Sequence, residues 1–173
     1  VKSLAIDENG NIYAGTSGSG VYRLASGEST WTQVNSGLTN TGINVLHCDQ
    51  NGYIYTGTDG GIYRSDNNAE SWTAIDSGLP ANWINAIDTD ANGNVYIGTQ
   101  GEGIYMSKNH GDSWIDVNGL MTRFVTDAVA VNDSGNIFIS TGGSVQLSKD
   151  MGENWIAIEA GLNSTDINIF NVN

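Results

Sequence analysis

Tryptophan recurs in this chain at Trp31, Trp72, Trp114 and Trp155, in steps of 41, 42 and 41 residues. Gly10, Gly52, Gly93 and Gly135 step by 42, 41 and 42. A third marker keeps the same beat: Ser36-Gly37-Leu38, Ser77-Gly78-Leu79, Asn118-Gly119-Leu120 and Ala160-Gly161-Leu162. Three independent markers on one period leave a repeat architecture, in which each unit buries its apolar surface against its neighbours. A period of about 40–45 residues with strand chemistry is that of propeller blades, not of helical solenoids.

The second repeat reads most clearly. Residues 43–48 form a first strand, closed by Asp49-Gln50-Asn51-Gly52, where Asn-Gly marks a tight hairpin. Residues 53–56 alternate aromatic and β-branched side chains as a second strand, 62–64 make a third, and 72–75 a fourth. Both faces of these strands are apolar, as blades stacked on both sides require. No helical period occurs. The expected fold is all-β: a β-propeller of four-stranded antiparallel blades over residues 1–42, 43–83, 84–124 and 125–166, with 167–173 beginning a further repeat. The chain reads as one domain, or a segment of one. Two expectations stay open: a piece of a longer propeller, or copies that close a ring as a homo-oligomer through their open blade edges.

Composition narrows the partners. The 173 residues include 23 glycines, one proline (Pro80) and five tryptophans, which suits short strands and tight turns. Nineteen acidic residues against six basic ones give a formal charge of −13. Such a surface repels phosphate backbones and anionic lipid, so nucleic acid and membrane insertion are not expected. No apolar run approaches the roughly 20 residues that span a bilayer. Cys48 is the single cysteine, so no intrachain disulfide forms. Val1 begins within the repeat pattern, so the lack of a leader carries no information.

The sharpest motif is Ser148-Lys149-Asp150-Met151-Gly152-Glu153-Asn154-Trp155, which reads S-x-D-x-G-x-x-W. Ser107, Asn109, Gly111 and Trp114 repeat it with Asn for Asp. Ser65, Asn67 and Trp72 repeat it with Ala69 for Gly, and around Trp31 only Ser26 and the tryptophan survive. Hydroxyl, carboxylate or amide, and glycine are the parts of a self-bonded turn, and tryptophan is a large apolar anchor. On a strand-rich period of about 42 residues, this corner resembles the Asp-box, or BNR-repeat, β-propeller family of the sialidase-like propeller superfamily, over essentially the whole chain. That family includes sialidases, xyloglucan-type glycoside hydrolases, sorting-receptor ectodomains, photosystem-assembly factors and many secreted bacterial propellers. The resemblance implies a bacterial protein in an extracellular, cell-surface or periplasmic setting. It also implies that the box is structural, in the turn between third and fourth strands and away from the ligand face. Ser65, Asn67, Trp72, Ser107, Asn109, Gly111, Trp114, Ser148, Asp150, Gly152 and Trp155 are then fold determinants.

Catalytic signals are weak beside this. The resemblance leads one to expect three arginines on a substrate carboxylate in a sialidase, together with an Arg-Ile-Pro signature. Only Arg23, Arg64 and Arg123 are present, the first two at equivalent repeat positions, and the signature is missing. A glycosidase of another kind needs two carboxylates about 5–10 Å apart, and no acid here stands in a distinctive setting. Asp88-Thr89-Asp90-Ala91-Asn92-Gly93 resembles the start of a calcium loop, but Thr99 stands where a bidentate Glu is wanted. A hairpin turn explains it better, so neither metal nor cofactor is expected.

What remains is the loop face. Residues 17–20, 58–61, 100–103 and 141–144 connect second to third strands, and 39–42, 80–83, 121–124 and 163–166 lead to the next blade. The repeats diverge in these loops. Trp83 stands where the first repeat has Gly42, and Arg123-Phe124 has no counterpart. Aromatic platforms beside directional polar groups suit a sugar or peptide. The expected contacts are Trp83, Phe124 and Arg123, helped by Asn82, Asp59 and Glu102. The reading is a non-catalytic extracellular module that binds a glycan or protein ligand. The alternatives are a segment of a sialidase- or xyloglucanase-like glycoside hydrolase with its catalytic groups elsewhere, and a self-assembling propeller unit.

Overall fold

The computed structural model describes residues 1–80, 83–122 and 124–162, which form strands and turns without a helix. The strands assemble into four-stranded antiparallel sheets, each in simple sequential order, and the chain divides into two compact units, Val1–Ile84 and Asn85–Asn173. The first sheet is β1 (Ser3–Ile6), β2 (Ile12–Gly15), β3 (Val21–Leu24) and β4 (Thr32–Gln33). The second is β5 (Ile43–Cys48), β6 (Ile54–Thr58), β7 (Gly61–Ser65) and β8 (Thr73–Ala74). The third is β9 (Ile84–Thr89), β10 (Val95–Thr99), β11 (Ile104–Ser107) and β12 (Ile115–Asp116). The fourth is β13 (Thr126–Val131), β14 (Ile137–Thr141), β15 (Ser144–Ser148) and β16 (Ile156–Ala157). Each repeat of the sequence is thus one sheet. The fifth-repeat segment 167–173 lies outside the described residues.

The strands follow the expected positions, with one instructive difference. The fourth strand, expected over 72–75, pairs only at Thr73 and Ala74. Trp72 is diverted to the preceding sheet: its backbone N–H donates to the Ser36 carbonyl at 2.8 Å, and its indole Nε1–H donates to the Val34 carbonyl at 2.8 Å. In the second unit Trp155 Nε1–H donates to the Val117 carbonyl at 3.0 Å, the same step back along the chain.

The core of unit 1 lies between its sheets, where Tyr13, Val21 and Val34 of the first repeat meet Ile43, Leu46, Ile54, Tyr63 and Trp72 of the second. Unit 2 repeats the arrangement with Tyr96, Ile104, Met106 and Val117 against Val129, Val131, Ile137 and Ile139. The close approach is set by glycine. A Cβ on Gly15 would collide with Ile43, and one on Gly57 would come within 2.7 Å of Ile84 Cγ2. Gly37, at φ 90°, lies so close to the Trp72 carbonyl that a side chain there has no room.

Polar ties join the sheets as well. Ser3 Oγ accepts the Leu46 N–H at 2.9 Å, and in unit 2 Asp88 Oδ2 accepts the Val131 N–H at 2.7 Å. Arg23 donates to the Asn68 carbonyl at 2.8 Å, while Arg64 stacks over the Tyr53 ring at 5.3 Å. Both repeat-equivalent arginines therefore serve the fold. Trp72 is 4% exposed and Trp31 is 41% exposed. Trp72→Phe should lower stability by roughly 1–3 kcal/mol, because it leaves a buried carbonyl unpartnered. Trp31→Phe should stay within about 0.5 kcal/mol, and denaturant melts of the two variants check the contrast.

Candidate functional site

Two ends of the sheets carry the polar groups, and they differ in kind. At one end lie the Ser/Asp corners, each between a third and a fourth strand. In the last, Ser148 Oγ donates to Asp150 Oδ1 at 2.9 Å and accepts the Gly152 N–H at 2.8 Å. Asp150 Oδ1 also accepts the Asn154 N–H at 2.9 Å, and Oδ2 accepts Asn154 Nδ2–H at 2.8 Å. Asn109 and Asn67 reproduce the essential bonds: each side-chain oxygen accepts a serine hydroxyl at 2.8 Å and the N–H four residues on, at 2.9 and 3.0 Å. Their amides donate to Ser113 and Ser71 instead of receiving from an asparagine. A negative charge is therefore dispensable. Met151, His110 and Asn68 sit at φ 57–59°, in the left-handed region, and Ala69 at φ 63° stands where the other two corners have glycine. These are folding parts, each of which aims its tryptophan.

The hairpins between first and second strands sit at the same end. Asp7 Oδ1 accepts the N–H groups of Asn9 and Asn11 at 3.0 and 2.9 Å, while Oδ2 accepts Asn11 Nδ2–H and the Tyr13 hydroxyl at 2.8 and 2.9 Å. Asp90 does the same with Asn92, Asn94 and Tyr96. The calcium-like stretch is thus a turn whose carboxylate is occupied by its own loop, and Asp88 is bonded elsewhere. Among the described residues, no group of three His, Cys, Asp or Glu side chains lies close enough to hold a metal. Burial opposes ionisation of Asp7, but the bonds from Asn11, Tyr13 and Asn9 outweigh it and hold the carboxyl below its ordinary value. Burial and the facing aspartate push the Tyr13 and Tyr96 phenols up, so they remain donors. Burial, with Asp7 and Asp49 nearby, pushes the Cys48 thiol up to about 12, so it is an inert packing residue. These Tyr–Asp pairs carry a sequence signal that went unread: aspartate three residues before the marker glycine and tyrosine three after it, at Asp7/Tyr13 and Asp90/Tyr96. Asp49/Tyr55 keeps the spacing without the hydrogen bond, and Gly135 is flanked by Asn132 and Phe138 instead.

The opposite end carries the loops expected to meet a ligand. In unit 1 the connection to the second sheet is zipped onto the β2–β3 loop: Ser17 bridges Gly42, and the Gly20 N–H donates to the Thr41 carbonyl at 3.0 Å. Asn35 braces that loop from beneath, with Oδ1 accepting the Val21 N–H at 2.7 Å and Nδ2–H donating to the Ser19 carbonyl at 3.0 Å. Asp59 is exposed and accepts Asn44 Nδ2–H at 2.7 Å, and Trp83 is 45% exposed. Unit 2 is built alike. Gln100 bridges Val125, the Gly103 N–H donates to the Phe124 carbonyl at 2.9 Å, and Asn118 braces Ile104 and Glu102. The Phe124 ring is half-buried and packs on the unit 2 core, and Glu102 is half-buried in the β10–β11 loop. Asn82 and Arg123 lie outside the described residues. Of the expected contacts among the described residues, Trp83 and Asp59 are the ones that present open surface.

Comparison with known proteins bears on the fold. A family model described as "Two component regulator propeller" matches residues 78–101. No curated protein matches the chain. Among solved structures, the extracellular domain of BT4673 from B. thetaiotaomicron superposes with a TM-score of 0.77 at 17% identity, over 96% of this chain and 23% of that one. The GH74 xyloglucanase from Xanthomonas campestris superposes with a TM-score of 0.77 at 18% identity, over 95% of this chain and 31% of the enzyme. YCF48 bound to D1 peptide gives 0.65 at 17% identity, over 90% and 52%. The chain spans less than a third of the first two, and likeness at such identity establishes one thing, the β-propeller fold.

Two outcomes follow from the corner geometry. Ser148 is fully buried, so Ser148→Ala should destabilise by roughly 1–2 kcal/mol in chemical denaturation by stranding the Gly152 N–H. Asp150 is held below its ordinary value by bonds from Asn154 and Ser148, as Asp7 is by its loop. Such groups stabilise fully above the ordinary carboxylate value of 3.8, and the contribution is lost as pH falls through their lowered folded values. The melting temperature should therefore drop on acidification below that value, and less steeply in Asp150→Asn.

Proposed function

We propose that this chain is part of an Asp-box propeller that works as a non-catalytic extracellular binding module. Its ligand, a glycan or a protein segment, is taken on the loop end opposite the Ser/Asp corners. One observation carries this reading: the loops of that end are short, at residues 16–20, 59–60, 100–103 and 142–143, and the first and third are laced to the inter-sheet connections by the Ser17–Gly42 and Gln100–Val125 bridges. Within each unit they give a shallow, preorganised surface of the kind that suits recognition. A cleft that encloses a reacting centre usually needs at least one long insertion.

Unit 1 carries Trp83 and Asp59, an exposed aromatic and an oriented carboxylate held by Asn44. Asn82 completes the proposed set of unit 1, and unit 2 carries Phe124 and Glu102 with Arg123. Tryptophan offers a flat apolar face for a sugar ring or a peptide side chain, while the carboxylates supply directional acceptors. An extracellular setting agrees with the extracellular domain among the structural relatives.

A second reading has its own support in the likeness to GH74 enzymes. In it the chain is a segment of a glycoside hydrolase whose catalytic carboxylates lie beyond these residues. Turnover of xyloglucan by the longer protein, lost on changing one carboxylate, would replace the binding reading with this one.

A glycan and peptide array probed with the chain tests the proposal. Hits are expected to weaken about tenfold in Trp83→Ala, the equivalent of roughly 1–1.5 kcal/mol from one aromatic contact. No hits, or hits indifferent to Trp83, would remove the assigned surface.

A further inference from the structure

A seam joins the first and second sheets within unit 1 and the third and fourth within unit 2, and the two copies differ at one crossing. Cross-strand pairing makes Arg23 and Met106 equivalent, the first opposite Thr32 and the second opposite Ile115. In unit 1 Arg23 crosses the seam, and its Nη1–H donates to the Asn68 carbonyl at 2.8 Å. Asn68 is a left-handed residue of its corner, three places after Ser65, and Met151 holds the same place after Ser148. Unit 2 has no such donor: Met106 is 3% exposed, and a thioether has no N–H to offer the Met151 carbonyl. An open groove of about 500 Å³ lies there, with Met106 as its floor. Ile115 and Met151, 46% and 54% exposed, stand beside it with Lys108, Asp116 and Glu153. Unit 1 has the polar Thr32, Gln33 and Asn68 where unit 2 has Ile115, Asp116 and Met151. The second seam therefore lacks the internal arginine and adds apolar walls and a carboxylate.

We propose that this groove takes an arginine side chain from an extended segment of a partner protein, in the place that Arg23 fills internally in unit 1. The Met151 carbonyl stands where the Asn68 carbonyl accepts the Arg23 guanidinium, so an acceptor of the right kind is in position. Asp116 and Glu153 outnumber Lys108 at the groove, so a cation is drawn in. A forked guanidinium then finds carboxylates for charge-assisted bonds. Met106, Ile115 and Met151 offer apolar surface on which the methylene stem of an arginine lies. The short β12 is the outermost strand of its sheet, and its Ile115 and Asp116 are exposed, so a partner segment can run alongside it. Edge pairing supplies backbone hydrogen bonds that a free amine or guanidine lacks, which makes a polypeptide the occupant. The groove borders a Ser/Asp corner, and the inference is independent of the ligand proposed for the loops.

Amide chemical shifts of the 173-residue chain, titrated with acetyl-Gly-Leu-Arg-Leu-Gly-amide to about 5 mM, test it. Shifts are expected at the groove residues 106–108, 115–117 and 151–153. The same peptide with citrulline, which keeps the shape and drops the charge, should bind about tenfold more weakly. The arginine peptide should lose affinity by about tenfold in Met106→Arg, whose own guanidinium fills the groove as Arg23 does in unit 1. If that variant does not fold, Glu153→Gln, a change at an exposed residue, should cost roughly fivefold. Trp83→Ala should leave this binding unchanged, which separates its failure from that of the loop-end reading. No shifts at the top concentration, or shifts confined to residues outside the groove, overturn the proposal. So does equal binding of the citrulline peptide, or binding indifferent to the folded groove variants.

Discussion

A single indole N–H reaching back one repeat is the contact on which this fold depends. It is directional, so it fixes the angle at which one sheet meets the sheet before it. Trp72 on Val34 and Trp155 on Val117 make the same bond at the same sequence separation in the two units. The tryptophan also carries its ring into the seam, where Trp72 joins the core of unit 1 and Trp155 packs on that of unit 2. The Ser/Asp corner is best understood through this contact. Its hydroxyl and Asx oxygen satisfy the N–H groups of a turn that runs through left-handed φ, and the turn delivers the tryptophan at a fixed place. Geometry is the requirement, and charge is not. Asn67 and Asn109 accordingly replace aspartate without loss of the central bonds.

The repeat made most of the fold legible. Tryptophan and glycine spacing gave the sheet count, and Asn-Gly pairs placed the first hairpins, because both signals are local and period-bound. Element ends were less legible. Trp72 belongs to a strand by propensity, yet its N–H is claimed by Ser36 of the preceding repeat, which propensity cannot see. Asn35 and Asn118 were passed over as parts of the Ser-Gly-Leu marker region, although they brace the β2–β3 and β10–β11 loops across 14 residues. The Tyr–Asp pairs were passed over because aspartate and tyrosine each looked sufficient in their own roles, turn and strand. Of the proposed ligand contacts, only exposure could rank them, and exposure is a property of the fold. Phe124 and Trp83 look alike in sequence, but the first packs on a core while the second is largely open.

The two ends of the strands are held together in different ways. The corner end is dense with internal hydrogen bonds, and a substitution there falls on stability. The loop end combines backbone bridges, which any side chain can accompany, with side-chain braces from Asn35 and Asn118. Ser17 and Gln100 occupy equivalent bridge positions with different side chains, and Asp59 and Gln100 both accept from an asparagine at the second residue of a first strand. Sequence can drift there without loosening the loops. At the bridge positions the repeats can accordingly diverge, while at the corners they agree.

The same logic sharpens the meaning of one departure within the repeat. Gly15, Gly57 and Gly98 occupy equivalent places in their second strands, and a Cβ at each would crowd a β-branched residue of the following repeat: Ile43, Ile84 and Thr126. The fourth repeat has Ser140 at this place. Ser140 keeps its ladder partners, Ala128 on one side and Val145 on the other, so the second strand itself does not require glycine there. The glycines at 15, 57 and 98 are therefore a requirement of the seam between one sheet and the next, where a β-branched side chain of the following repeat occupies the space a Cβ would take.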